Sequence, residues 1–281
     1  MSGAGGLVLA PKDGADLLST AGRLLKLWIG PMIAKLFTPL AVSALTLTFD
    51  AQAEVASRQS YCCQIVVGGS EAQYANELDG AGVPAVSIRG YEGGVKIPFE
   101  TLNSLKPVDA NGVTRLTPSA LPSADVTPGH FNFKQVSSQQ IYFGEWSQTG
   151  LKNDPERVVY YAGDNSGRVL PAVPVTYAVQ GISNYTGSNL MSGELTANFG
   201  AAVSGVTGSL ANSQLKVEIN ALINGIWFDG GATAIDPATN ERLSSGWSKG
   251  SFFGAGETSS VAGIAHFGNR DFDVAFGGVK K

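Results

Sequence analysis

The feature that most constrains this chain is the run of alternating segments that fills its C-terminal half. From Val173 onward, stretches of about five to eight residues alternate apolar and polar positions and are punctuated by Gly, Asn, Ser or Asp, the period-2 signature of half-buried strands. The spacing predicts strands over Val175 to Ile182, Glu194 to Phe199, Gly205 to Leu210, Lys216 to Leu222, Ile226 to Ala232, Ser245 to Phe253, Glu257 to Phe267 and Asp271 to Gly277. In the fourth, Val217, Ile219 and Ala221 share one face while Lys216, Glu218 and Asn220 share the other, because successive side chains of a strand point oppositely. A sheet of so many strands leaves exposed edges unless it closes on itself, and no stretch after Val173 has helical periodicity. A small closed antiparallel barrel follows.

The 281 residues are 43 % hydrophobic and 15 % charged, with 36 Gly and a formal net charge of −4, which suits a Gly-rich, β-leaning chain with ample material for a core. That low and mildly acidic charge provides no basic stripe for a phosphate backbone, and the one local cluster is the closing pair Lys280-Lys281. Nucleic-acid binding is excluded as a primary role.

Between Lys35 and Asp50 lies an apolar run, Leu36 to Phe49, followed by Ala51-Gln52-Ala53, the small-x-small pattern that a signal peptidase cleaves. Residues 1–53 are read as a signal peptide cut near Ala53, with translation starting at Met32, since Met32-Ile33-Ala34-Lys35 makes a compact n-region. The run is shorter than the ~20 apolar residues needed to span a bilayer, so a transmembrane anchor is the weaker reading. The mature chain is expected outside the inner membrane, without a stable membrane anchor.

The two cysteines are adjacent, Cys62-Cys63, and no lipobox precedes them. In an oxidising compartment they are compatible with a vicinal disulfide, an intermolecular bridge or two buried thiols. Adjacent thiolates without further ligands nearby do not make a structural metal site.

Upstream of the predicted barrel the pattern is harder to read. Gln64 to Val67 and Val83 to Ile88 are strand-like, Gly93-Gly94 signals a turn, and Asn103 to Pro128 reads as long surface loops. Only two histidines exist, His130 and His266. No nucleophile elbow, zincin helix or phosphate-binding loop occurs, and Asp229, Asp236 and Glu241 belong to a turn-rich stretch, so an enzyme has no positive feature behind it. His266 reads as a satisfied strand histidine on the face of Ile264 and Ala262; Trp146, Trp227 and Trp247 read as fillers of cores or barrel ends; Tyr91, Tyr142, Tyr160 and Tyr161 read as packing. His130, in Pro128-Gly129-His130-Phe131-Asn132-Phe133, sits where the long loop becomes a strand, with Phe131 and Phe133 on one side and His130 and Asn132 on the other. On residues alone it reads as a surface or hydrogen-bonded loop histidine before it reads as a ligand.

Leu195-Thr196-Ala197-Asn198-Phe199-Gly200, Ile223-Asn224-Gly225-Ile226-Trp227-Phe228, Gly250-Ser251-Phe252-Phe253-Gly254 and Val274-Ala275-Phe276-Gly277 resemble the C-terminal eight-stranded barrel of Slam-dependent surface and secreted proteins of Gram-negative bacteria, which occurs also in transferrin-binding protein B. Upstream, Gln140-Ile141-Tyr142-Phe143-Gly144-Glu145-Trp146 and Arg157-Val158-Val159-Tyr160-Tyr161-Ala162-Gly163 are similar to the N-terminal domain of the hemophilins, secreted heme carriers. The resemblance implies an all-β protein: a handle domain over residues 54–165 that binds heme, followed by an eight-stranded antiparallel β-barrel over residues 166–281 that a Slam-type translocon reads. It implies a hemophore that takes heme, with host hemoproteins as a source, to a TonB-dependent outer-membrane receptor. His130 becomes the axial ligand to the heme iron, since neutral imidazole is a common one. The family holds iron with one His or two, and the handle offers one, so the iron is five-coordinate or takes a sixth ligand such as water or a Tyr. Lys96, Arg115 and Lys134 are placed to meet the propionates. The other reading of the same scaffold is a host-interaction or colonisation factor that binds no heme.

Overall fold

The computed structural model describes residues 54–71, 80–123, 126–200, 203–254, 256–257 and 259–281. The leader expected over residues 1–53, and the start at Met32, lie outside them.

The upstream part supplies β1 (Glu54–Gln59), β2 (Ile65–Gly69), β3 (Gly80–Ala81), β4 (Pro84–Ile88), β5 (Ile97–Pro98), α1 (Phe99–Ser104), β6 (Val113–Leu116), β7 (His130–Gln135), β8 (Ile141–Ser147) and β9 (Val158–Asp164). Six of these strands form one sheet in the order β3-β1-β9-β8-β7-β6, and β2, β4 and β5 form a second, three-stranded one. The expected loop over Asn103 to Pro128 is corrected here: it contains the end of α1 and all of β6, which pairs Val113 with Lys134 and Leu116 with Phe131. A four-residue strand at a sheet edge is too short to show a period between its Pro-, Asp- and Ser-rich flanks.

Downstream of the two-residue β10 (Arg168–Val169) come β11 (Val175–Ile182), β12 (Met191–Asn198), β13 (Gly205–Ala211), β14 (Lys216–Asn224), β15 (Trp227–Ile235) and β16 (Arg242–Phe253). Then follow β17 (Gly256–Glu257), which pairs with β10, and β18 (Ser260–Phe267) and β19 (Val274–Lys280). β11 to β16, β18 and β19 close into an eight-stranded antiparallel barrel, sealed by β19 against β11 with Val179 opposite Gly278. The all-β expectation and the eight strands are as read from the sequence, with most boundaries moved by one to three residues. The last strand starts at Val274, because Arg270–Phe272 forms a 3-10 turn capped by the Asn269 side chain, and the seventh starts at Ser260.

Alternation puts Val217, Ile219 and Ala221 of β14 inside the barrel with Tyr177, Leu195, Phe228, Phe252 and Phe276, all buried. At about 1.5–3 kcal/mol per large apolar side chain, this interior is the main force closing the barrel. Gly250 is required by that packing, since a Cβ there would meet the Phe228 ring at 2.2 Å.

The six-stranded sheet is covered on both faces. One face, with Phe131, Phe133, Tyr142, Trp146 and Tyr160, packs on α1 and the small sheet, where Phe99 stacks on Tyr142 and Tyr160 at 5.3 and 5.4 Å between ring centroids. The other, with Val113, Ile141, Phe143, Val159 and Tyr161, packs on the outside of the barrel through Ile182, Ala262, Ile264 and Ala275. Phe143 lies so close to Gly277 of β19 that a Cβ there would sit 2.6 Å from its ring.

A buried ion pair on the sheet side of this second interface reaches across it through Arg157. Arg157 and Glu145 meet at 2.8 Å, and Arg157 also donates to the carbonyl oxygens of Arg270 and Asp273 at the foot of β19. Cys62 and Cys63 form a vicinal disulfide and are exposed, which closes the alternatives of an intermolecular bridge and of buried thiols. No helix among the described residues is long and apolar enough to cross a membrane.

Candidate functional site

His130 opens β7, and its position is fixed from both sides. Before it, the Trp146 indole donates to the Pro128 carbonyl at 2.8 Å, and Gly129, at φ 80°, lets the chain pass over that indole, where a Cβ would fall 2.5 Å from Nε1. Across from it, Gly150 lies against the imidazole at φ 74°, and a Cβ there would sit 2.8 Å from Nδ1. The loop carrying Gly150 is built around buried Asp154. One carboxylate oxygen accepts from the backbone and hydroxyl of Thr149 at 2.7 and 2.6 Å, and the other accepts from the Glu156 nitrogen at 2.8 Å.

The imidazole is half-buried, and no group among the described residues hydrogen-bonds it. Burial lowers its pKa, with the Asp154 charge offsetting part of the effect. At neutral pH it is an uncharged imidazole with a lone pair to offer.

It faces a cleft of about 530 Å³ whose walls include Pro107, Val113, Leu116, Asn132 and Tyr185, with Lys106 and Arg115 as its cations. That volume is within the range of small-molecule and cofactor sites, roughly 300–1,000 Å³. Phe131 and Phe133 face away into the core, as their alternation with His130 predicts.

Of the three cations expected near the propionates, Arg115 alone lines the cleft. Lys134 donates to the Asn111 carbonyl, with its pKa lowered by burial, and Lys96 is buried beside β5; Lys106 takes their place. Tyr91, Tyr142 and Tyr160 are core residues, and the Tyr161 hydroxyl lies 3.0 Å from Ser251 Oγ at the barrel wall.

Tyr185 was not legible as a site residue. It comes from the β11–β12 connection, inside the polar stretch Ser183-Asn184-Tyr185-Thr186-Gly187, where a lone aromatic among turn residues was the available signal. Glu145 accepts hydrogen bonds from the backbone nitrogens of Asn184 and Tyr185 at 2.8 and 2.7 Å, and from Asn132 at 3.0 Å. Burial works against the Glu145 charge, but Arg157 and these donors hold its pKa below the ordinary range. The Tyr185 hydroxyl donates to Asp109 at 2.8 Å and accepts from the Asn111 amide at 2.8 Å, so its oxygen is already engaged. The Arg115 guanidinium lies 5.8 Å from the Tyr185 ring centroid.

The residues present fit a heme: one free neutral imidazole, apolar and aromatic wall, and two cations for carboxylates. Among the described residues no three His, Cys, Asp or Glu side chains come together as a metal site, so a bare ion has no cage here.

His266 lies on the barrel exterior with Ile264, as expected. Its ring is held between Tyr61 and Trp247, with the Phe267 backbone beside it, and its buried Nδ1 meets no hydrogen-bond partner of good geometry among the described residues. Trp146 is a core residue, but Trp227 and Trp247 are 43 % and 50 % exposed, which corrects the expectation that all three fill cores or ends.

Residues 50–158 match the family described as HphA N-terminal heme-binding domain, and residues 169–280 match the HphA C-terminal domain. Among solved structures, intact Ap-TbpB (N and C lobes) aligns with a TM-score of 0.42 and 15 % identity over 68 % of this chain and 41 % of that one. The vaccine antigen transferrin binding protein B from Haemophilus parasuis Hp5, as a point mutant, aligns with 0.42 and 16 % over 66 % and 39 %. A surface lipoprotein aligns with 0.39 and 16 % over 82 % of this chain and 99 % of its own. The chain thus spans about two fifths of the length of the two transferrin binding proteins.

Proposed function

This chain belongs to the HphA family, both of whose domains it matches in order, and from that premise we propose that it is a heme carrier whose iron is held by His130. Heme binding is the property of the matched N-terminal domain. The observation that carries the ligand assignment is the unengaged, half-buried imidazole facing a cleft with apolar walls and two cations.

In this reading His130 supplies the axial nitrogen, Arg115 and Lys106 meet the propionates, and Val113, Leu116 and the Tyr185 ring cover porphyrin surface. Burial of the apolar macrocycle and the iron bond provide most of the affinity. When bound, the heme supplies an iron centre, and the chain's own part is to bind it, orient it and limit water. The Tyr185 oxygen, already engaged by Asp109 and Asn111, would serve as wall and not as a second iron ligand.

The wider role follows the same family. Residues 54–165 act as the heme-binding handle and residues 166–281 as a barrel read by a Slam-type outer-membrane translocon. The leader over residues 1–53 is removed near Ala53, and the secreted protein takes heme, host hemoproteins included as donors, to a TonB-dependent receptor. Support comes from the small-x-small pattern behind an apolar run and from the family match. The non-heme host-interaction reading has no structural feature in its favour, and the match to a heme-binding domain stands against it.

A hemin titration of the purified protein tests this. A saturable one-to-one complex with a sharpened Soret band is expected for the wild type. In His130→Ala, folded by circular dichroism, the band is lost or strongly shifted. An unchanged spectrum in the variant would place the ligand elsewhere.

A further inference from the structure

The connection between β18 and β19, Gly268-Asn269-Arg270-Asp271-Phe272-Asp273, belongs to the barrel and stands outside the cleft that His130 faces. Its own bonds make it firm. The Asn269 side chain caps it by accepting from the Asp271 nitrogen at 3.0 Å, and the Phe272 and Asp273 nitrogens donate to the carbonyls of Asn269 and Arg270 at 3.1 and 3.0 Å.

From this turn two acceptors of one residue reach the two loops that supply walls to the cleft. The first is the Asp271 carboxylate, which meets the β8–β9 loop. There Asn153 stands at φ 64°, a left-handed conformation that Asn adopts more readily than most side chains. Its amide, oriented with the nitrogen toward the carboxylate, donates to the two Asp271 oxygens at 2.6 and 2.9 Å. The second is the Asp271 carbonyl, which accepts from the Asn184 amide of the β11–β12 connection at 3.0 Å. Asn153 follows Gly150 by three residues, and Asn184 directly precedes Tyr185, so each bond is made next to a residue lining the cleft.

Little slack separates these bonds from the imidazole. Asp154, beside Asn153, holds the Thr149 nitrogen and hydroxyl, and the Gly150 nitrogen donates to Ser147 Oγ at 3.2 Å. Farther along the same loop Arg157 and Arg270 exchange hydrogen bonds, each guanidinium donating to the other's carbonyl. Leu151, Lys152 and Asn153 are exposed, so packing does not hold the tip of the loop, and a tip of that kind opens locally unless it is tied.

We propose that Asp271 is a positioning residue of the cleft, which from the barrel braces the Gly150 and Tyr185 loops closed about His130 and so sets how long the site retains its ligand. The inference rests on the heme reading for the identity of that ligand and deepens it. Asp271 touches neither His130 nor the cleft, and acts through Asn153 and Asn184.

Hydrogen exchange in the hemin-free protein tests the brace, and transfer of bound hemin to excess apomyoglobin tests its effect on retention. In Asp271→Ala the amides of residues 149–151 are expected to exchange at least about tenfold faster than in the wild type, with β12 to β14 unchanged. Hemin should leave about tenfold faster at an unaltered Soret position, the scale of losing two hydrogen bonds to a charged group. Asn153→Ala should reproduce both effects, and Asn153→Ala/Asp271→Ala should add nothing to them, since the two side chains act through one contact. Asn184→Ala should speed exchange at Tyr185 in the same way. Wild-type exchange at residues 149–151 in Asp271→Ala, or hemin loss at the wild-type rate, overturns the proposal. So does faster exchange spread over β12 to β14, which would make Asp271 a residue of general stability. A wild type that takes up no hemin would remove the heme reading, and the exchange comparison would still decide whether Asp271 braces the loops.

Discussion

Glu145, in the middle of the handle sheet, accepts the backbone N–H of Tyr185 at 2.7 Å, and so a strand of the handle sets the position of a barrel loop. Through that bond the Tyr185 ring becomes a wall of the cleft that His130 faces. The candidate site is therefore composite, with its ligand on the sheet and part of its wall on the barrel.

Replacing Glu145 with Gln removes the charge that compensates Arg157, whose side chain is 2 % exposed. Breaking one partner of a buried pair costs about 3–5 kcal/mol, so a fall of that order in urea-derived stability is expected. Hemin affinity should fall with it as Tyr185 loses its anchor. Glu145→Met/Arg157→Met, with no orphaned charge, should be less destabilised than the sum of its single variants.

Burial, opposed by Asp154, leaves the His130 pKa below its ordinary value, so the imidazole takes up a proton at lower pH than a free one. Protons compete with iron for the same lone pair. Hemin affinity is expected to be flat near neutrality and to decline about tenfold per pH unit below an inflection under ~6.5. An inflection at or above that value in a pH series of hemin titrations would contradict the assignment, and His130→Ala should lack the inflection.

Gly150→Ala and Gly93→Ala separate backbone strain from site geometry. Both residues have positive φ, 74° and 68°, so each substitution should cost about 1–2 kcal/mol of stability. Only the first also drives a Cβ into the His130 ring, whereas nothing lies within 4 Å of a Cβ at Gly93. Hemin titration should show at least about tenfold weaker binding for Gly150→Ala, or 1.4 kcal/mol, and wild-type affinity for Gly93→Ala.

Asp273 lies at the seam between sheet and barrel. Burial pushes its carboxyl up to about 7, against the Phe267 backbone N–H and the nearby Arg157 and Arg270 charges. Between about pH 4 and that value the folded protein binds a proton the unfolded chain lacks. The contribution is thus fully present below about 4 and is lost as pH rises through about 7. Thermal unfolding followed across that range should show this slope, and Asp273→Asn should flatten it.

The sequence was most readable where one face of a strand is wet. Val217, Ile219 and Ala221 alternate with Lys216, Glu218 and Asn220 because the first set fills the barrel and the second meets water. Where both faces are covered the alternation disappears. Residues Ile141 to Trp146 are buried without a break, one side on α1 and the small sheet, the other on the barrel. Strand β6 escaped notice because four residues carry too little pattern.

The family resemblance made His130 the candidate ligand; what the sequence determined by itself was the closed antiparallel barrel, the opposite pointing of His130 and Phe131, and the shortage of histidines. Those follow from local periodicity and composition, which need no knowledge of what packs on what. The tertiary structure alone decided that Arg115 and not Lys96 or Lys134 lines the cleft, that Tyr185 arrives from the barrel, and that Trp227 stands in solvent. Each depends on contacts between residues far apart in the chain; for Tyr185 the link is Glu145, whose carboxylate oxygens accept from Asn132 of β7, from Arg157 just before β9 and from the β11–β12 loop.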